Sequence, residues 1–97
     1  MINETQHLLV CLAEECAEVQ KECAKALRFG LDDKHPKYEG SNKERLEQEV
    51  IDLMGVLETI FERKIIMLPD DFQARIKDKR QRIQKYMDYA RERGVLE

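Results

Sequence analysis

Apolar residues recur every three or four positions along most of the chain, and no segment alternates residue by residue as a strand would. That period predicts three helices. The first opens at Asn3, with Asn3 and Gln6 as its cap pair, runs to about Phe29 and stops at Gly30. A polar segment from Leu31 to Gly40 follows, holding Pro36 and the pair Asp32-Asp33. The second helix opens at Ser41, where Ser41-Asn42-Lys43-Glu44 fits a capping box, and extends to about Lys64. Ile65, Ile66, Met67 and Leu68 lead into Pro69. The third helix is expected to start near Asp70, with Gln73 in the reciprocal position, and to end by Gly94. The expected fold is all-α: one domain over residues 1–97, three main helices in a bundle completed by oligomerisation.

The first two helices share one pattern. The first carries Leu8, Leu12, Cys16, Val19, Cys23 and Leu27 as its predicted stripe. The second carries Leu46, Val50, Leu53, Leu57, Ile60 and Phe61. A shift of 34 positions lays Leu12 on Leu46, Cys16 on Val50, Val19 on Leu53, Cys23 on Leu57 and Leu27 on Phe61. The same shift lays Glu15 on Glu49 and Glu18 on Asp52. At about 100° per residue, each acidic i, i+3 pair falls on the shoulder of its stripe. If the stripes pack antiparallel, the shoulders meet and four carboxylates line one edge of the pair.

Composition narrows the function classes. A chain of 97 residues is long enough for one domain but only modestly able to bury its own apolar surface. An apolar stripe left over is expected to be covered by a second copy. Charged residues make up 38% of the chain, with 20 acidic and 17 basic residues and a net charge of −3, so no global positive field attracts nucleic acid. The three cysteines, Cys11, Cys16 and Cys23, fall in one helix and lack the spacing of a zinc site. They read as reduced thiols of a cytoplasmic protein. The N-terminal run lacks a basic leader and is broken by acid, so neither a signal peptide nor a membrane span is expected.

Four converging carboxylates are costly without a cation. Two unit charges about 6 Å apart repel by roughly 3 kcal/mol at an effective dielectric near 20. Protonation relieves part of this and a divalent ion relieves more. Ligands that are all oxygen suit Mg²⁺, Mn²⁺ or Ca²⁺ rather than zinc. A chain this acidic also makes such pairs by chance: Glu44 with Glu47, and the single residues Glu14 and Glu58, read as a solvated face.

The runs Glu14-Glu15-Cys16-Ala17-Glu18-Val19 and Glu49-Val50-Ile51-Asp52-Leu53 resemble the paired motifs of the MazG-like nucleotide pyrophosphatases, EExxE on one helix and ExxD on the next. Lys25-Ala26-Leu27-Arg28-Phe29-Gly30 and the run Asn42 to Leu46 resemble the small single-domain members, including those of phages and mobile elements. The likeness spans roughly Leu8 to Tyr89. It implies hydrolysis of a (d)NTP between its α and β phosphates to a (d)NMP and pyrophosphate, as in housecleaning of nucleotide pools. It also implies Mg²⁺ ligation, and catalysis, by Glu15, Glu18, Glu49 and Asp52, a dimer or tetramer, and a place in the cytoplasm, the host's if phage-encoded. The thirty residues between Glu18 and Glu49 stand at or slightly beyond the family's spacing, with the excess in the Leu31–Gly40 connector.

A triphosphate needs further positive charge. The third helix offers Lys77, Lys79, Arg80, Arg82 and Lys85, of which Lys79 and Arg82 best match the phosphate contacts the resemblance implies. Asn42 and Phe29 are candidate nucleoside contacts, with a first-turn polar residue and a core residue as their bland readings. Lys21 and Lys25 are weaker candidates. Glu4 and His7 have the spacing of a di-iron element, but His35 supplies no second one. Cys16 and Cys23 read as core. Two further functions stay open: a non-catalytic helical interaction module, and a nucleotide binder that has lost turnover.

Overall fold

The computed structural model describes all 97 residues, Met1 to Glu97. It is all-α, with α1 over Glu4–Phe29, α2 over Asn42–Glu62 and α3 over Phe72–Glu92. The chain divides into two compact units, Met1–Ile66 and Met67–Glu97. No helix is long and apolar enough to cross a membrane.

In the first unit, local chemistry sets the helix ends. The Asn3 side chain accepts from the Gln6 N–H at 2.8 Å, and the Gln6 side chain accepts from the Asn3 N–H at 2.9 Å. Ser41 and Glu44 form the same reciprocal box at the start of α2. α1 stops at Gly30, whose φ of 96° a side chain would resist. α2 ends in a Schellman turn, with the Ile65 N–H donating to the Ile60 carbonyl and the Lys64 N–H to that of Phe61. The left-handed position in that turn is filled by Lys64, at φ 59°.

α1 and α2 pack as an antiparallel hairpin. Glu4 pairs with Arg63 at 2.7 Å, and eleven residues further along α1 Glu15 meets Asp52, eleven residues back along α2. Seven more bring Glu22 to Arg45, seven earlier on α2. The seam lies elsewhere than the apolar count predicts. Cys16, Cys23 and Leu27 are exposed, as are Val50 and Phe61. Cys11, Glu15, Glu22, Asn42, Arg45 and Glu49 are covered in their place, with Leu8, Leu12, Val19, Leu46, Leu53, Val56 and Leu57. Thus Cys16 and Cys23 are not core residues. A single partner helix covers a narrow strip, and the strip follows the register of the pair rather than the densest apolar row. Ile60 is the one apolar side chain fully buried. The 34-residue correspondence holds in part: Glu15 and Glu49 are both half-buried, Glu18 and Asp52 both exposed, and Cys16 and Val50 both exposed, but Cys23 is exposed where Leu57 is half-buried.

In the second unit, the Phe72 N–H donates to the Pro69 carbonyl, and α3 begins two residues later than Asp70 would place it. Asp71 makes no side-chain cap; its carboxylate holds Arg75 at 3.1 Å. The helix closes in a second Schellman turn, with Gly94 at φ 77°. Exposed Ile76, Ile83 and Met87 form a row along α3, and the unit contains no second helix to cover it.

The α2 turn yields a stability test. Left-handed backbone costs a side-chain-bearing residue roughly 1–2 kcal/mol, and glycine gives back about half of that in unfolded-state entropy. Lys64→Gly is expected to stabilise the chain by about 0.5–1 kcal/mol in urea melts. A loss of stability would show that the Lys64 side chain contributes more than its backbone costs.

Candidate metal centre

The centre is built from side chains one helical turn apart on facing helices. Glu15 comes from α1, and Glu49 and Asp52 come from successive turns of α2. Each offers a carboxylate oxygen, and these oxygens all lie within 4.8 Å of one another. Oxygens sharing one hard cation can stand no further apart than twice the metal–oxygen distance, about 4–5 Å for Mg²⁺ to Ca²⁺. The set therefore fits a single ion with little movement.

Glu15 supplies a second observation. Its Oε2 is buried and has no hydrogen-bond partner. A buried carboxylate oxygen left without a partner is costly, and an ion between the helices would satisfy it. Asp52 is held from the other side, where the Gln48 amide donates to its Oδ1 at 2.9 Å. Glu18 is exposed and stands outside the group of three, close enough for its charge to act on Glu49.

That field has a measurable consequence. Burial raises the Glu49 carboxyl above its ordinary value of 4.5, and the charges of Asp52, Glu18, Glu15 and Glu22 raise it further. Among these charges Asp52, its neighbour one turn along α2, acts most strongly, ahead of Glu18 and Glu15.

Glu22, seven residues beyond Glu15, shows the opposite solution, and reading the apolar stripe gave no hint of it. It is only 4% exposed. Lys25 Nζ lies 3.5 Å and Arg45 Nε 3.6 Å from its carboxylate, which balances its charge, although Glu22 Oε2 and Arg45 Nε, like Glu15 Oε2, make no hydrogen bond. Arg45 also donates to the Gly40 carbonyl at 3.2 Å and to Asn42 Oδ1. Asn42 Nδ2 donates to the Gly30 carbonyl at 2.9 Å. The signal in the sequence was the i, i+7 repeat from Glu15 to Glu22, which puts both on one face.

The other predicted residues fall in different places. Asn42, 2% exposed, has both ends of its amide engaged and ties the connector to α2. Phe29 is exposed at the end of α1 with the Arg28 guanidinium 5.1 Å above its ring, so it is not a core residue. Lys79 and Arg82 belong to the second unit. There Arg82 pairs with Asp78 at 3.2 Å, and Lys79 lies beside Leu68, Phe72 and Ile76 in an apolar hollow.

Two tests follow. With Glu49 raised, the native state holds a proton that the unfolded chain has released. In metal-free buffer, stability is therefore expected to fall as pH climbs from about 4.5 through the raised value, then level off. Glu49→Gln is expected to flatten that slope and to raise the neutral-pH melting midpoint by a few degrees. Parallel profiles for the two proteins would refute the like-charge field. Separately, Asn42→Ala strips partners from Gly30 and Arg45 and is expected to cost about 2–4 kcal/mol in denaturant melts.

Comparison with family models, curated proteins and solved structures finds no match to this chain, so the functional reading rests on the residues themselves.

Proposed function

We propose that the chain is a Mg²⁺-dependent nucleotide pyrophosphohydrolase of the MazG-like kind, hydrolysing a (d)NTP to a (d)NMP and pyrophosphate. One observation carries the proposal: carboxylate oxygens of Glu15, Glu49 and Asp52 gather within 4.8 Å across two helices while Glu15 Oε2 lies buried without a partner. The motif order on α1 and α2 turns a general cation site into a nucleotide one.

In this reading Glu15, Glu49 and Asp52 hold the ion, with Glu18 at the rim. The bound metal supplies charge neutralisation on the phosphates and a more acidic water. The chain's own part is to fix the oxygens in place. The helix pair sets their spacing and Gln48 orients Asp52.

Assembly into a homo-oligomer belongs to the same proposal. Leu9, Val50, Met54 and Phe61 are exposed on the hairpin, which has little apolar core of its own. A cytoplasmic place is proposed from the three free thiols. The exposed row Val50, Met54 and Phe61 also favours a second reading, a helical interaction module without turnover.

The two readings separate on metal and product. Glu49→Ala and Asp52→Ala are each expected to abolish Mg²⁺-dependent pyrophosphate release from a panel of standard and modified (d)NTPs while circular dichroism stays helical. Mg²⁺ is expected to raise the wild-type melting midpoint by mass action, and neither variant's. Full turnover in both variants would remove the enzyme reading. A midpoint indifferent to Mg²⁺, with no product from any nucleotide, would favour the interaction module.

A further inference from the structure

The connector between α1 and α2 builds a second feature that the carboxylate centre does not use. Residues 31–40 fold back over the end of the hairpin, where the Asn42 N–H donates to the Asp33 carbonyl and the Lys43 N–H to that of Leu31, both at 2.9 Å. Beneath them is a recess of about 240 Å³ lined by Lys25, Arg28, Phe29, His35, Tyr38 and Arg45, among others. Sites for drug-sized ligands begin at about 300 Å³, so this recess takes one ring system rather than a whole nucleotide.

Its walls are aromatic and cationic. Lys25 Nζ and the Arg45 guanidinium each lie 4.9 Å from the centre of the Tyr38 ring, and His35 stands against it at 5.2 Å. Those two cations are themselves fixed, Lys25 by buried Glu22, and Arg45 by Glu22, Gly40 and Asn42. The Tyr38 ring is therefore oriented before any ligand arrives, yet is still 50% exposed. Phe29 is 60% exposed, and Arg28 above it forms no ion pair. Exposed rings lined by cations, one of them the unpaired Arg28 guanidinium, suit a planar, electron-rich heteroaromatic ring with polar edges.

The recess also lies at a useful distance. Lys25 follows Glu15 by ten residues on α1, about 15 Å of helix, and Asn42 precedes Glu49 by seven on α2, about 10 Å. A ribose and its phosphate chain span such a gap. We infer that this connector recess holds the base of a nucleotide whose phosphates lie at Glu15, Glu49 and Asp52, with Tyr38 and Phe29 as its stacking surfaces. This rests on the nucleotide reading above and adds where the base sits and which residues choose it.

The test is equilibrium binding in Mg²⁺ of an α,β-methylene nucleoside triphosphate, which resists cleavage, set against inorganic tripolyphosphate, which has no base. Tyr38→Ala and Phe29→Ala are each expected to weaken the nucleotide about five- to a hundredfold, the range a lost base–aromatic stack gives. Tripolyphosphate should bind both variants as it binds wild type, and Tyr38→Phe should restore nucleotide affinity. Both side chains are exposed, so the folds should hold, with unchanged melting as the check. Nucleotide affinity unchanged in both alanine variants overturns the recess as the base site and leaves the metal-centred reading standing. Equal losses for nucleotide and tripolyphosphate also overturn it, because the rings would then act on the phosphate end. Wild type that binds neither ligand with Mg²⁺ removes the nucleotide reading and this inference with it.

Discussion

Like charges across a half-buried helix seam are the constraint from which the rest of the hairpin can be understood. Glu15 and Glu49 face one another where two helices touch, with Asp52 a turn away. Nothing local balances them, and Glu15 Oε2 has no donor at all. A seam of this kind is ordinarily filled with apolar side chains, which would stabilise the pair instead of straining it. The hairpin is thus less stable than its geometry allows, at the one place where an ion would reverse the sign of the effect.

The same seam contains its own control. Seven residues along, Glu22 occupies the equivalent position on α1 and is more deeply buried than Glu15. There α2 presents Arg45, and Lys25 closes in from the same helix. The chain therefore has the means to neutralise a seam glutamate and does so at one position. At the neighbouring position it places two more acids. A structural role accounts well for Glu22, because its charge is balanced and its partner Arg45 ties down the connector through Gly40 and Asn42. No structural role accounts for Glu49, whose carboxyl is pushed up by burial and by four acidic neighbours.

How far the sequence disclosed this depends on the range of the interaction. Both capping boxes were legible because each lies within four residues and needs only the local backbone. Once the helices are taken as antiparallel, their repeated spacing brings Glu15 to Glu49 and Asp52, but Glu18, expected with them, stays outside the group. The choice of face was not legible. Counting apolar residues put Cys16, Cys23 and Leu27 inside, whereas register put Cys11, Glu15 and Glu22 there. Asp70 and Gln73 looked like a cap, but the Phe72 N–H turns back to Pro69 and Asp71 engages Arg75. The Tyr38 recess was the least accessible, since it exists only once an irregular connector has folded over the helix ends.

The misplaced apolar face carries its own argument. α2 is apolar on two sides: one meets α1, and the other shows Val50, Met54 and Phe61 to solvent. A helix that needed a single partner would not repeat its apolar period on the far side. Each such side chain is worth roughly 1.5–3 kcal/mol if fully covered. A hairpin with one fully buried apolar residue has few other reserves against the repulsion at its centre. Charge at the seam and apolar surface on the outside are therefore two sides of one design. The outward row of α2 is the apolar surface whose burial would offset the strain at the carboxylates.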